Sequence, residues 1–384
     1  MNLNEITHNP MNVTILLTLK GRPLHTLRWL WHHNRIQLPF KIVIADGGNY
    51  PEIVRLLSEP KNFPNLNYKY FRYQDNSLED YWFKLADIIT KIDTPYVMFS
   101  DNDDFILSDA VLVAENLLET HSDCISVCST ALNFALKDKN SEFDQLRILG
   151  DLYNFSSQGG IDYDAEDCVV RVKQFLNRSY YFFYSLTRTE AWIDIFKEVK
   201  EINFKNFDVW ERFIYLSLVI KGKIIFSIQP SYLRQLGSSE THASVTPWIN
   251  RLFFSDWMGD FQSMVPAIIR RAEKFTSVSN ASVLDTILRK VYVDAMPMII
   301  ENHLTMTNAY KKSFLKKMIS KAKDFSLIRR FYGRAKINKI FKFLKSQGLD
   351  DFQLKKVKNE LDEVRQTLKH SDLYSKVLLF KEFD

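Results

Sequence analysis

Tyr96-Val97-Met98-Phe99-Ser100-Asp101-Asn102-Asp103-Asp104-Phe105 decides how the rest of the chain is read. An apolar run suited to a buried strand ends in three carboxylates within four residues. Carboxylates this close repel one another and raise each other's pKa unless a cation neutralises them. At the C-terminal end of a strand in an open α/β sheet, such a cluster lies where ligands bind. The economical reading is a site for a hard divalent cation, which takes oxygen ligands and in turn holds phosphate oxygens. The plainer reading is a solvated loop before the next helix, although Ser108-Asp109 can cap that helix without it.

Working outward, the flanking pattern alternates buried strands with amphipathic helices. Val13–Leu19 reads as a strand broken by Lys20-Gly21-Arg22-Pro23, after which Leu24, Leu27 and Trp31 fall at helical spacing. Lys41–Ala45 is a second strand, ended by Asp46-Gly47-Gly48, and Glu52–Leu57 a short helix. Asn67–Tyr73 is strand-like and aromatic. Ser77-Leu78-Glu79-Asp80 is a capping-box signal, with Leu78, Trp82, Leu85 and Ile89 on one helical face. After the acidic-tipped strand, a helix is predicted over Ser108–Thr120 and a strand over Cys124–Ser129. Strands and helices in this alternation indicate a doubly wound, mostly parallel sheet, with functional loops after Leu19, Ala45, Tyr73 and Ser100 on one edge.

Beyond residue 130 the pattern loosens. Residues 137–167 read as a loop or lid carrying Asp162, Asp164, Glu166 and Asp167, a solvated charge run in preference to a second metal site. Phe182–Leu186 should return to the sheet as a strand. Helices are expected from Thr189 and over Phe207–Ile220, and a strand over Lys223–Ser227. From Pro247 onward the pattern is helical.

The 384 residues exceed one typical domain, and 46% hydrophobic content is ample for a packed core. Cys124, Cys128 and Cys168 form no disulfide framework and suit a reducing compartment, the first two as small buried hydrophobes. The start, Met1-Asn2-Leu3-Asn4-Glu5, has no signal-peptide pattern, and no run is long and apolar enough to span a bilayer. A cytoplasmic location follows, soluble or peripheral on the inner face of the membrane. Residues 311–345 hold thirteen Lys or Arg against one acid, a net of +12, leaving −7 on the rest. A basic helical arm interleaved with Ile and Phe suits an anionic membrane surface, or two solvated helices in a C-terminal bundle. The acidic body and the lack of a recognition motif argue against nucleic acid. Residues 353–370, rich in Lys and Glu, suggest a helix for homo-oligomerisation.

Three features together resemble the family-2-like glycosyltransferases of the GT-A fold. They are the N-terminal strand, the strand ending Ala45-Asp46-Gly47-Gly48, and the strand ending Asp101-Asn102-Asp103-Asp104. Phe183–Glu190 and Pro230–Gln235 are similar to segments of a bacterial branch used in surface-polysaccharide assembly. The resemblance covers roughly residues 12–240 and implies an inverting transferase moving sugar from a nucleotide-sugar donor to a glycan or lipid-linked acceptor. It implies that Asp101 and Asp103 match an Asp-x-Asp motif for Mg²⁺ or Mn²⁺, with Asp103 in direct contact, Asp101 near the ribose and Asp104 a further ligand. It places Asp46 beside the nucleotide base and Thr18 and Arg22 on the loop over the nucleotide. Relatives often carry two acids where this chain has Ala45-Asp46. His242 is implied as a contact to metal or diphosphate.

Such a reaction needs positive charge at the departing diphosphate, for which Arg22, Lys20 and Arg234 lie on suitable loops. It also needs a base for the acceptor hydroxyl. Asp208 and Glu211 share a helical face, with Asp208 favoured and Glu211 close behind. The expected architecture is α/β, with residues 1–130 binding the nucleotide-sugar, 131–245 the acceptor, and 246–384 an appended helical region. The competing readings are a sugar nucleotidyltransferase, for which Lys20–Pro23 is a short signature loop, and a non-catalytic metal- and membrane-binding protein.

Overall fold

Val13, Ile15, Leu16 and Leu17 are wholly buried, as are Val97 and Met98, because β1 (Val13–Leu19) and β4 (Tyr96–Ser100) have protein on both faces. A computed structural model describes residues 12–137, 151–178, 180, 182–236, 255–294 and 337–369 of the chain. β1 leads to α1 (Pro23–Arg35), β2 (Lys41–Asp46), α2 (Pro51–Ser58), β3 (Asn67–Arg72) and α3 (Leu78–Ile88). Arg22 takes a left-handed conformation (φ 62°) that turns the chain from β1 into α1, and Pro23 supplies the fixed φ of a first helical residue. At α3 the Ser77 hydroxyl accepts from the Asp80 N–H while the Asp80 carboxylate accepts from Ser77, completing the expected capping box.

After β4 come the two-residue β5 (Phe105–Ile106), α4 (Ser108–Thr120), β6 (Cys124–Lys137) and β7 (Asp151–Gln158). Then follow α5 (Cys168–Asn177), β8 (Leu186–Arg188), α6 (Thr189–Ile202), α7 (Phe207–Lys221) and β9 (Lys223–Gln235). The sheet order is β3-β2-β1-β4-β8-β6-β9-β5, with β7 on β6. β3, β2, β1 and β4 are parallel, so the doubly wound α/β half stands as the sequence predicts.

The second half departs from a simple continuation. β8 is antiparallel to both β4 and β6 and separates them, so the strand at Cys124 does not extend the parallel row directly. β8 also begins four residues later than expected. Phe182–Ser185 makes a turn instead, closed by the Ser185 N–H on the Phe182 carbonyl at 3.1 Å. β6 runs past residue 130, so the boundary placed there falls inside a strand that both halves share. Residues 151–158 are a strand paired with β6, not a lid. Three of the four acids that follow make contacts within the fold. Asp162 accepts from the Phe226 N–H, Glu166 pairs with Lys223, and Asp167 caps α5. The three cysteines are free and buried, as small hydrophobes would be.

One sheet face packs on α3, α5, α6 and α7, where Trp82 and Trp210 stack at 4.6 Å. α8 (Ser255–Ala272) and α9 (Val278–Arg289) extend the same core. The other face packs on α1, α2 and α4. A third core joins Phe105, Phe134 and Leu233 to helical residues 337–346 (α10) and to α11 (Asp351–Lys369). The region read as a helix for homo-oligomerisation forms α11, one face of which packs on this chain. Arg35 of α1 donates to the Glu363 carboxylate at 2.6 Å, and His32 bonds the Thr367 hydroxyl at 2.7 Å. Residues 311–336 of the basic arm lie outside the described residues. Ile337, Ile340, Phe341 and Leu344 at its end belong to this third core. Among the described residues, no helix is long and apolar enough to cross a membrane.

Glu360 carries the contact between α11 and α4. Its Oε1 accepts from the Ser108 hydroxyl at 3.0 Å and from the Asp109 N–H at 3.3 Å, capping α4 from another element. Burial, aided by Asp109, pushes the Glu360 carboxyl up to about 7. A carboxyl whose folded pKa lies above its unfolded value stabilises at low pH and loses that contribution as pH rises through the folded value. The part of the chain's stability that Glu360 supplies should therefore be lost between about pH 4.5 and 7, so that the fall in melting temperature over that range is smaller in Glu360→Gln. Parallel melting curves of the two proteins across that range check it.

Candidate functional site

The parallel order changes direction at β1, with β2 on one side and β4 on the other. The crevice beyond the strand ends at such a point is where α/β sheets bind ligands. The loops after β1, β2 and β4 meet there, and two glycines let them. Gly47 packs directly on the Asp75 side chain, and a Cβ on Gly48 would lie 2.8 Å from the Lys20 carbonyl oxygen. Below them the buried Asp75 carboxylate is shared by Lys84, which also donates to the Leu19 carbonyl, and by Lys20 at 3.1 Å. Thr18 hydrogen-bonds the Tyr81 hydroxyl beside this pair.

β4 delivers Asp101, Asp103 and Asp104 with carboxylate oxygens within 4.8 Å of one another. Burial and the Asp103 charge raise the pKa of Asp101, and burial with Asp103 and Asp101 raises that of Asp104 well above the usual range. At such a spacing each pair of full charges costs on the order of 3–4 kcal/mol at an effective dielectric of about 20. The fold supplies counter-charge. Arg22 Nη1 lies 2.6 Å from Asp103 Oδ2, and Arg234 at the end of β9 acts on Asp101 and Asp104. The Tyr184 hydroxyl donates to Asp101 Oδ2, and the Gln235 N–H to Asp104 Oδ1 at 2.9 Å. Asn102 points away from the acids and donates to the Gly21 and Arg22 carbonyls and the Thr26 hydroxyl, tying the motif to the β1–α1 loop.

An all-oxygen donor set of three converging carboxylates fits a hard cation such as Mg²⁺ or Mn²⁺. Arg22 already sits on one of them. The structure thus brings together Arg22, Asp101, Asp103, Asp104 and Arg234.

Asp46 is placed differently. Its carboxylate is buried and accepts from the Gly48 N–H, the Tyr70 hydroxyl and Arg72, each at 2.7 Å. On α7, Asp208 pairs with Arg212 at 3.0 Å and accepts from the Trp257 indole N–H at 3.1 Å. Glu211 accepts from the Tyr215 hydroxyl at 2.8 Å, and burial followed by the nearby Asp208 charge raises its pKa. Arg234 opposes that rise, which places Glu211 within electrostatic reach of the same end of β9. His242 lies outside the described residues.

Several partners escaped the sequence reading. Lys84 and Asp75 sit nine residues apart across a loop and a helix start, a spacing that signals no pair. Tyr184 falls within the expected strand Phe182–Leu186, and no motif in the sequence singles out Arg28. A fully buried arginine has no signature in periodicity alone.

No protein-family model matches the chain, and no curated protein matches it significantly in sequence. Among solved structures, S. aureus TarS 1-349 in complex with UDP is similar at 12% identity and a TM-score of 0.43, over 76% of this chain and 78% of that one. The same protein in complex with UDP-GlcNAc gives 13% identity and a TM-score of 0.39, over 75% and 78%. Similarity at this level assigns neither family nor chemistry.

Removing one partner of a buried ion pair strands the other charge, a loss of roughly 3–5 kcal/mol. Lys84→Met should cost about that much in denaturant unfolding, reduced to the extent that Lys20 covers Asp75. Adding Asp75→Asn should restore most of it.

Proposed function

We propose that the chain is a metal-dependent glycosyltransferase that takes a sugar from a nucleotide-sugar donor and passes it, with inversion, to a glycan or lipid-linked acceptor. The observation that carries this reading is the set of three carboxylates converging at the crevice beyond β1 and β4, with Arg22 and Arg234 beside them. Asp101, Asp103 and Asp104 would hold Mg²⁺ or Mn²⁺. A bound divalent cation acts as a Lewis acid on a departing diphosphate.

The chain's own residues supply the rest. Arg22, held beside the carboxylates at 2.6 Å from Asp103, would supply positive charge where negative charge develops on a departing diphosphate. Arg234 stays fixed at the end of β9 and adds a second cation. Thr18, beside Tyr81, and Asp46, with its Tyr70 and Arg72 partners, line the side of the crevice assigned to the nucleotide.

Glu211 is the better placed of the two candidate bases. Asp208 is engaged by Arg212 and Trp257, whereas burial raises the pKa of Glu211 and makes it the stronger base toward an acceptor hydroxyl. Surface-polysaccharide assembly and attachment of the basic arm to an anionic membrane belong to the same reading.

Calorimetry with UDP, GDP and CMP, with and without Mn²⁺, tests the proposal. Metal-dependent binding of one nucleotide, lost in Asp103→Ala with the melting curve intact, is the expected result. Indifference to all three nucleotides points to a non-catalytic binding protein.

Transfer should rise with pH through the ionisation of Glu211, since the base must be deprotonated. Glu211→Gln should lose that limb and about 10²–10⁴-fold in rate while keeping donor affinity. The same loss in Asp208→Asn instead would move the base back one helical turn.

A further inference from the structure

α1 sends one side chain beneath the acidic motif that reaches no open surface. Arg28 is wholly buried, and its guanidinium spans two elements. Nη2 donates to the Asp103 carbonyl oxygen at 2.6 Å, and Nη1 to Gln235 Oε1 at 2.7 Å. The Phe105 ring lies 4.8 Å below the guanidinium plane's carbon and closes the site from the third side. Gln235 in turn sends its backbone N–H to Asp104 Oδ1 at 2.9 Å.

These contacts close a ring. It runs from Arg28 through the Asp103 main chain to the Asp104 carboxylate, then through Gln235 back to Arg28. Arg234, whose charge acts on Asp101 and Asp104, is the residue next to Gln235. The register of β9 against β6 shifts between Ser227, which faces Ser129, and Tyr232, which faces Ala131, and from there Tyr232–Gln235 run in step with Ala131–Phe134.

We infer that Arg28 is a positioning residue that sets the acidic motif of β4 at a fixed distance from Arg234 on β9, so that the cation-holding and anion-holding halves of the site stay in register. It touches neither half through its own charge at the surface. It acts through the Asp103 main chain and the Gln235 side chain. A planar fork is required because both acceptors are met at once, in different directions, and an ammonium in the same volume presents no such fork. Burying a guanidinium is costly, and the ring offsets part of that cost by meeting Nη1 and Nη2. That charge persists at neutral pH even though burial lowers the Arg28 pKa to about 10.

This inference rests on the glycosyltransferase reading for its purpose but not for its test. Amide hydrogen exchange of the full chain is followed at residues 101–107 and 232–236 in the wild type, Arg28→Lys and Gln235→Met. Exchange at the Gln235 amide should accelerate about tenfold or more in both variants, the factor for losing one charge-assisted hydrogen bond, with β1 and β2 unchanged. Mn²⁺ and nucleotide titration of the same proteins should show weakened affinity in Arg28→Lys despite its retained charge. Wild-type exchange at Gln235 in a folded Arg28→Lys overturns the inference, because charge alone would then suffice. Should Arg28→Lys fail to fold, unchanged exchange in Gln235→Met overturns it instead. A wild type that binds no nucleotide removes the glycosyltransferase reading, while the exchange data still decide the role of Arg28.

Discussion

Like charges forced together at the end of one strand are the constraint around which this molecule is built. Asp101, Asp103 and Asp104 converge within 4.8 Å, and their mutual repulsion is of the same order as the net stability of a domain. Everything near them compensates. Arg22 meets Asp103 from the β1–α1 turn, Arg234 arrives from β9, and Tyr184 and the Gln235 amide donate to the remaining carboxylates. Burial first, and the neighbouring carboxylates after it, raise the pKa values of Asp101 and Asp104.

The same constraint explains the elements packed beneath and behind the motif. Trp29 donates to the Ser100 hydroxyl, Asn102 holds the β1–α1 loop, and Arg28 holds the Asp103 main chain, so α1 contacts the motif at three successive points. α11 then holds α1 through Arg35 and His32, and holds α4 through Glu360. The C-terminal helix is thus connected to both elements that flank the acidic loop. A segment that looks like an appendage in sequence is part of the support for the site.

Chain order hides these supports for one physical reason. Periodicity reports which face of an element is buried, and a burial pattern is a property of neighbours a few residues apart. A buried ion pair or a spanning arginine is set by which elements meet, and elements meet across hundreds of residues, as with Arg28 and Gln235 or Arg35 and Glu363. Lys84 shows the same limit at short range. It lies outside the apolar face of Leu78, Trp82, Leu85 and Ile89, yet its ammonium is buried against Asp75.

By itself the sequence determined the parallel half: β1 through β4, the helices between them, the capping box at Ser77 and the acidic tip all follow from local hydrophobic period and turn chemistry. It also singled out the acids and Arg22, because three carboxylates after an apolar run are conspicuous without any partner. Only the tertiary structure decided that β8 inserts antiparallel between β4 and β6, that Asp162, Glu166 and Asp167 bond within the fold, and that α11 packs on its own sheet. Strand direction and helix docking are settled by where long connections bring apolar faces and charges together. That choice is made by packing, which no stretch of ten residues contains.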